Sequence, residues 1–341
     1  MSTGTTGKSG ARRTTLADVA RHAGVSVALA SIVMREAPGA SDQSRERVLS
    51  SAAELGYRPD VRARSLASLK AHTIGVLFGQ AGRFHMELIE GLYQEAEERG
   101  WDLVLSALTP NRGEDKALQS LSDSRFDALV MLGPAVAEPS LAGQVPVAVV
   151  GWHVDHPEVD VVRTSDEHGL ELAVAHLAGL GHRDIAHLQG GSGLVAISRR
   201  DAYLAAMSRH GLTAHTDVVE CDGEDQLDGQ RAARQLLARD RTLPTAVTTF
   251  NDDVAAAMIS VLAQQGVDVP GRVSVVGFDD SALAATPGLD LTSIRQEPTE
   301  LARHAVTRVI ARTSGETVPD RELVLEPSLT VRATTAPAPT R

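Results

Sequence analysis

The stretch TLADVARHAGVSVALASIVMR, residues 15–35, organises the rest of this chain. Leu16, Val19, Ala20 and Ala23 recur at helical spacing and give one short helix an apolar face. Gly24 breaks that helix, and Ser26 caps a second whose inward face is Leu29, Ala30 and Val33. A third helix follows, with Ser41 at its start, Val48, Ala52 and Leu55 on its buried side, and Gly56 at its end. Two short helices joined by a tight Gly-containing turn and braced by a third read as a helix-turn-helix. The competing reading is an ordinary helical hairpin within a larger domain.

At 341 residues the chain exceeds one core, so two or three domains are expected. The overall charge of −11 argues superficially against nucleic acid, but its distribution reverses that. Residues 1–70 hold eleven Lys/Arg against six Asp/Glu, a net of +5, while the remainder holds 22 against 38. A basic head on an acidic body gives local attraction to DNA without a sticky surface elsewhere. No apolar run approaches the ~18 residues of a membrane span, and the N-terminus lacks an export-signal core. With the single cysteine, Cys221, this makes a cytoplasmic protein without internal disulfides the expectation. Residues 1–13 and 333–341, rich in Ser, Thr, Gly, Pro and Ala, read as disordered tails.

Between head and body lies Tyr57-Arg58-Pro59, then DVRARSLASLK at 60–70. Pro59 suits a first helical turn, and about two turns could follow, too few to be stable alone in water. Residues 60–71 therefore read as a hinge that orders when something covers it. Arg62 and Arg64 would favour a phosphate-lined groove, and Leu66 is an apolar wedge of the kind pushed between base steps. A merely solvated linker is the alternative.

From residue 74 onward apolar strands alternate with amphipathic helices: IGVLF, helix 84–99, DLVLSAL, helix 114–124, ALVMLG, VAVVGW. The pattern restarts with helix 167–180, IAHLQG, helix 199–210, DVVE, helix 225–239, AVTTF, helix 252–265 and VSVVGF. Continuous apolar strands separated by helices mean parallel sheets covered on both faces, an α/β core. Two such runs imply two lobes, with ligands beyond the strand C-termini in the cleft between them.

Three enzymatic patterns fail on inspection. Gly191-Ser192-Gly193-Leu194-Val195-Ala196 fits a dinucleotide fingerprint, but no clean acidic partner follows about 20 residues on apart from Glu220, so a cleft loop is the better reading. His176, His182 and His187 do not share a helical face, and no Cys or carboxylate pattern completes a zinc site. Ser192 lacks a nucleophile-elbow frame. No cofactor, metal or catalytic residue is expected.

TLADVARHAGVS, the spacing to SRERVLSSAAELGYRPD and the hinge Leu66-Ala67 resemble the lactose-repressor/galactose-repressor family of bacterial transcription regulators. HTIGVLF at 72–78, ELIEGLYQEAEERG, AHLAGLGHRDIAHL at 175–188, FNDDVAAAM at 250–258 and VSVVGFDD at 273–280 continue the likeness in family order. The resemblance implies an all-α helix-turn-helix domain at 14–59, a hinge at 60–71, and a core of two Rossmann-like lobes resembling periplasmic binding proteins. The lobes would be 72–161 plus 294–319, and 162–291 plus 320–332.

It also implies site residues. DNA would be met by Thr15, Leu16, Ser26, Val27, Ala28, Ser31, Ile32 and Arg35 of the head, and by Arg62, Arg64 and Leu66 of the hinge. The family places an arginine, an Asn-Asp and an aspartate in its cleft, here Arg199, Asn251 and Asp279, with Gln296 a further candidate. A guanidinium fork, an amide and a carboxylate can each bridge paired hydroxyls of a sugar-like ring. Phe84, Trp152 and Phe250 could pack on an apolar ligand face. The competing readings are a cap or loop salt bridge for Asp279 and Asp252, and core packing for the three aromatics.

The resemblance loosens in places. The family carries polar residues where Val27 and Ala28 stand, a threonine at Leu29 and an arginine at Ile32. Gly82-Arg83-Phe84-His85 replaces a common Asn-Pro-Phe-Phe, and Gly151-Trp152 replaces Asp-Arg. The expectation is a homodimeric repressor, with a higher oligomer as the alternative, that binds a near-palindromic duplex operator and a carbohydrate-like effector. A solute- or sugar-binding protein using the cleft alone is the alternative.

Overall fold

Capping decides where the head's helices start. Thr15 opens α1 (Leu16–Ala23) with a reciprocal box: its hydroxyl accepts from Asp18 N–H, and the Asp18 carboxylate accepts from Thr15 N–H. Gly24, at φ 63°, turns the chain left-handed at the other end. α2 (Val27–Met34) starts where Ser26 Oγ accepts from Leu29 N–H at 3.1 Å, and its axis is bent 105° from α1. α3 (Asp42–Glu54) packs on both. Val19, Ala20, Ala23, Ala30, Val33, Val48 and Ala52 form a small core, with Leu16, Leu55 and Tyr57 at its margin. His22 Nδ1 and Ser51 Oγ, 3.0 Å apart, tie α1 to α3, and Thr14 Oγ1 donates to the Leu55 carbonyl.

The computed structural model describes residues 14–34, 38–57, 71–79, 82–109, 111–133, 139, 141–239 and 242–340. Arg35, the hinge residues Arg62, Arg64 and Leu66, and the tail at 1–13 lie outside the described residues. The chain divides into two units, residues 1–70 and 71–341.

The second unit holds two six-stranded sheets. The first has the order β11-β5-β4-β3-β1-β2, built from β1 (Thr73–Phe78), β2 (Asp102–Ala107), β3 (Ala128–Leu132), β4 (Val147–Val150), β5 (Val159–Thr164) and β11 (Glu322–Leu325). All its pairings are parallel. Alternate strand residues go to opposite faces. Ile74, Val76, Val130 and Ala148 meet α4 (Arg83–Glu98) and α10 (Pro298–Thr313), while Leu77, Leu129, Met131 and Val149 meet α5 (Glu114–Ser124).

The second sheet has the order β12-β10-β9-β8-β6-β7. Its strands are β6 (Ile185–Leu188), β7 (Thr216–Val219), β8 (Ala246–Thr249), β9 (Ser274–Asp279), β10 (Thr292–Arg295) and β12 (Ser328–Thr330), the last antiparallel to β10. α6 (Asp166–Gly179) and α7 (Leu194–Arg209) cover one face, and α8 (Gln226–Leu237) and α9 (Asp252–Gln264) the other.

Three expectations need correction. The chain crosses between sheets after Thr164, after Arg295 and after Leu325, so the lobe limits read at 161, 294 and 320 each fall early or inside a strand. β5 is buried on both faces and β11 has only four residues, so neither shows a periodicity that says which sheet it joins. α7 begins at Leu194 rather than 199, because Gly193 is its N-cap. The segment 333–340 is no loose tail: Val275 N–H donates to the Thr334 carbonyl at 2.8 Å, and Ala338 N–H to Leu180 at 2.9 Å. Small Ala and Thr side chains let the backbone lie close enough to satisfy these groups, a partner that composition cannot reveal.

Candidate functional site

The C-terminal ends of strands from both sheets open on one cavity of about 780 Å³. Parallel sheets leave their ligand crevice at that end. Gly79, Gly133 and Gly151-Trp152 come to it from the first sheet, and Gly190, Asp222, Phe250, Asp279 and Gln296 from the second. The structure places all seven sequence-predicted cleft residues on this cavity: Phe84, Trp152, Arg199, Phe250, Asn251, Asp279 and Gln296.

Arg199 is the centre of the arrangement. It projects from the second turn of α7, and only 6% of its surface is exposed. Its Nε donates to Asp166 Oδ1 at 3.0 Å and its Nη1 to the Phe250 carbonyl. The guanidinium carbon lies 3.7 Å from the centroid of Phe278 and 4.7 Å from that of Phe250, so the two rings hold it by cation–π attraction. Nη2 keeps no hydrogen-bond partner among the described residues.

Asp279 ends β9 at φ 111°, a strained backbone for an aspartate, and lies beside Arg199, with Nη1 3.9 Å from Oδ1. Gln296 Nε2 donates to that same Oδ1 at 2.8 Å. Burial drives the Asp279 carboxyl well above the usual range; Arg199 opposes the shift, while Asp252 and Glu224 reinforce it. The competing cap reading applies instead to Asn251. Its Oδ1 accepts from Val254 N–H at 2.9 Å as the N-cap of α9, and its Nδ2 donates to the Glu224 carbonyl.

Asp252, next in the chain, is buried and does not line the cavity. It accepts from Ser293 Oγ at 2.6 Å, Ser281 N–H at 2.8 Å and Ser281 Oγ at 2.9 Å, tying α9 to the loops after β9 and to β10. Burial nevertheless pushes its carboxyl up to about 7, against those hydrogen bonds.

Trp152 and Phe250 serve both readings, since each is buried in the lobe yet presents part of its ring to the cavity. Gly190 is required here, because a Cβ would collide with the Phe250 ring. The Gly191-Ser192-Gly193 run is the loop that starts α7, with Gly191 at φ 72° against Gly223.

Sequence reasoning missed several cleft residues. Glu224 and Asp222 lie after β7, a strand end that the rule for parallel sheets would have flagged. Burial raises the Glu224 carboxyl, and Asp225 and Asp228 add to this while Arg199 opposes it. His85 in the first turn of α4 also lines the cavity, with its pKa lowered by burial and by Arg199. Asp166, which orients Arg199, gave no signal beyond its place at a helix start. The three histidines considered for zinc stand apart: His176 meets Thr335, His182 meets Thr245 and the Ala336 carbonyl, and His187 meets Thr248. Among the described residues no group of His, Cys, Asp or Glu is placed to hold a metal.

In the head, Thr15, Ser26, Val27 and Ala28 are exposed at the starts of α1 and α2. Val27 keeps half of its surface in solvent, unusual for a side chain with no polar group. Leu16, Ser31 and Ile32 are half-buried, and Leu16 packs at the core margin. Thr15 and Ser26 thus combine capping with exposure at helix N-termini, where backbone N–H groups favour phosphate oxygens.

A model of the lacI family of bacterial regulatory proteins matches residues 15–60, and one of the periplasmic binding protein-like domain matches 174–335. Over 325 residues the chain is 31% identical to the HTH-type transcriptional regulator GalR of Escherichia coli K12, spanning 93% of this chain and 94% of that protein. The chain belongs to the lacI family. The ribose operon repressor of the same organism is 32% identical over 326 residues, covering 93% of this chain and 98% of the repressor. Among solved structures, the lac repressor dimer bound to operator and the anti-inducer ONPF superposes with a TM-score of 0.83 at 27% identity, over 95% of this chain and all of that one. The family membership makes this chain a DNA-binding transcriptional regulator with a two-lobed core, and the relatives are regulators by name, not enzymes. No single helix among the described residues is long and apolar enough to cross a membrane.

Proposed function

We propose that this lacI-family regulator is a cytoplasmic, homodimeric repressor whose operator affinity is set by a small carbohydrate-like molecule in the cleft. The observation that carries the reading is the convergence of Arg199, Asp279, Gln296 and three aromatic side chains on one cavity between two lobes. Arg199 Nη2 supplies a fixed donor and Asp279 Oδ2 a fixed acceptor, the pair that adjacent ring hydroxyls need. Phe84, Trp152 and Phe250 supply apolar surface for the ring face. The repressors for ribose and lactose among its relatives favour the same class of ligand.

On the DNA side, Thr15, Leu16, Ser26, Val27, Ala28, Ser31, Ile32 and Arg35 contact the operator, and Arg62, Arg64 and Leu66 engage it through the hinge. Two copies reading two half-sites make the operator near-palindromic. With Val27, Ala28 and Ile32 on the reading helix, base readout leans on apolar contacts such as thymine methyls. Closure of the lobes on ligand favours one arrangement of the first lobe, from which residues 58–70 lead to the head. The coupling should be about 1–3 kcal/mol and reciprocal.

The test is selection of full-length protein on a random-duplex library, followed by titration of the winner at rising salt. A preferred, two-fold-related sequence whose affinity falls steeply with salt supports the reading, because phosphate neutralisation releases counterions. Binding without sequence preference overturns it and leaves a protein that uses its cleft alone.

A further inference from the structure

The charge of Arg199 is matched from outside the cavity, and what that implies for the ligand rests on the effector reading above. Arg199 Nε donates to Asp166 Oδ1 at 3.0 Å, and each of the two side chains keeps only 7% of its surface exposed. Asp166 is not on the wall of the main cavity. It is the first residue of α6, where the helix dipole favours a carboxylate, and it borders a separate, smaller cavity of about 470 Å³. Arg199 Nη2 meanwhile has no protein partner among the described residues. A ligand in the cleft therefore meets a buried donor whose charge is already paired.

The carboxylates on the cavity wall do not take this role. Asp279 Oδ1 stands 3.9 Å from Arg199 Nη1, beyond hydrogen-bond reach, and burial drives its carboxyl and that of Glu224 towards the neutral form. Asp225 and Asp228 are engaged in the capping box of α8, and Asp253 accepts from Gln226. Arg83, the other cation of the wall, is exposed, so solvent screens it. The buried polar centre of the cleft is thus one compensated ion pair beside acids biased to their neutral forms. It offers hydrogen bonds and little net charge.

We infer that Asp166 sets the specificity of the cleft through Arg199. By cancelling the guanidinium charge it makes Nη2 a donor for uncharged hydroxyl oxygens, and it bars phosphorylated and carboxylated compounds. An anion drawn to Nη2 meets the Asp166 carboxylate over the same guanidinium, and like charges at that range repel in a buried site. A neutral polyol meets no such penalty. Asp166 touches no ligand; it is a positioning residue that also fixes the charge of the group it positions.

The experiment uses the full-length protein with inorganic phosphate as the probe, so its result does not depend on which sugar is the effector. Melting temperature and calorimetry are read for wild type, Asp166→Asn, Arg199→Gln and Asp166→Asn/Arg199→Gln, with sodium chloride of equal ionic strength as the control. Asn keeps a carbonyl that can accept from Nε and removes the charge. Asp166→Asn should bind phosphate at least about tenfold more tightly than wild type, the scale of one uncompensated charge in a partly buried site. Adding Arg199→Gln should abolish that gain. An unchanged affinity, or a gain that survives Arg199→Gln, overturns the inference. So does millimolar phosphate binding by wild type that Arg199→Gln removes.

Should Asp166→Asn not fold, the double variant decides. A double variant that regains a cooperative transition shows that the unmatched guanidinium was the fault, as inferred; one no more stable than the single variant overturns the inference. Operator titration with ribose and ribose 5-phosphate separates this from the regulator reading. Release of operator by ribose 5-phosphate but not by ribose sinks the charge assignment alone. Phosphate uptake by Asp166→Asn through Arg199, in a protein that prefers no operator sequence, sinks the regulatory role alone.

Discussion

Gln296 grips Asp279 twice: its side-chain amide donates to Oδ1 at 2.8 Å, and its backbone N–H donates to the Asp279 carbonyl at 3.2 Å. Gln296 sits where the chain leaves the second sheet for the first, so the cleft carboxylate is fastened to a crossing between lobes. Gln296→Ala should therefore blunt the ligand response by more than it weakens ligand binding. Operator titration with and without bound ligand, beside calorimetry of the ligand alone, checks this. Equal losses in both would make Gln296 a simple contact.

Asp279→Asn keeps the shape but replaces the free Oδ2 acceptor by a donor or displaces the Gln296 bond. A buried group left without its hydrogen-bond partner costs about 1–3 kcal/mol. Ligand affinity should fall by roughly ten- to a hundredfold on that scale. Full retention of affinity would remove Asp279 from the site.

Asp252 makes the core's stability depend on pH. Its carboxyl titrates at about 7 in the folded protein, above the ordinary aspartate value. The unfolded state therefore loses its proton first, so stability is greatest at acid pH and falls as pH rises towards 7. The loss is on the order of 4 kcal/mol across that window. Asp252→Asn should flatten the slope, since Ser293 Oγ can turn to accept from the new amide while Ser281 keeps its acceptor. Chemical denaturation at several pH values, on both proteins, reads the effect; parallel slopes would contradict it.

Cap chemistry sets the head's order. Thr15→Ala removes one half of the capping box and should cost about 1 kcal/mol of local stability. Hydrogen exchange in the full-length chain should show faster exchange confined to α1. An unchanged rate at Asp18 and Val19 would mean that packing, not the cap, fixes the start of the helix.

Asp160 on β5 is 1% exposed and collects Arg308 at 3.0 Å, Arg312 at 3.0 Å and Arg321 at 3.5 Å. Asp160→Ala strands these cations and should destabilise the core by about 3–5 kcal/mol, as for a broken buried pair. Urea unfolding measures it. A loss below about 1 kcal/mol would mean that the guanidiniums re-solvate freely, as at an exposed pair.

The head was legible because its signals are local: Thr15, Gly24, Ser26 and Ser41 mark helix limits by chemistry that acts within four residues. The alternation of strand and helix was legible for the same reason. The crossings were not, because VDVVRT and ELVL are short segments whose sheet is decided by partners 161 residues apart, as in the pairing of Val162 with Leu323. Arg199 and Asp279 were found through family likeness, since neither burial nor the Asp166 contact shows in sequence. Glu224 stood in plain view in DGED but was passed over, because an acidic loop ordinarily reads as a solvated face.

The segment after Leu325 has a consequence for how the molecule comes into being. β11 completes the edge of one sheet, while β12, Thr334 and Ala338 close the other, so one lobe lacks its full hydrogen bonding until Leu325 and the other until Ala338 has been added. The head needs only its first 57 to gather its core. A nascent chain thus possesses its helix-turn-helix long before both of the lobes that frame the cleft are complete.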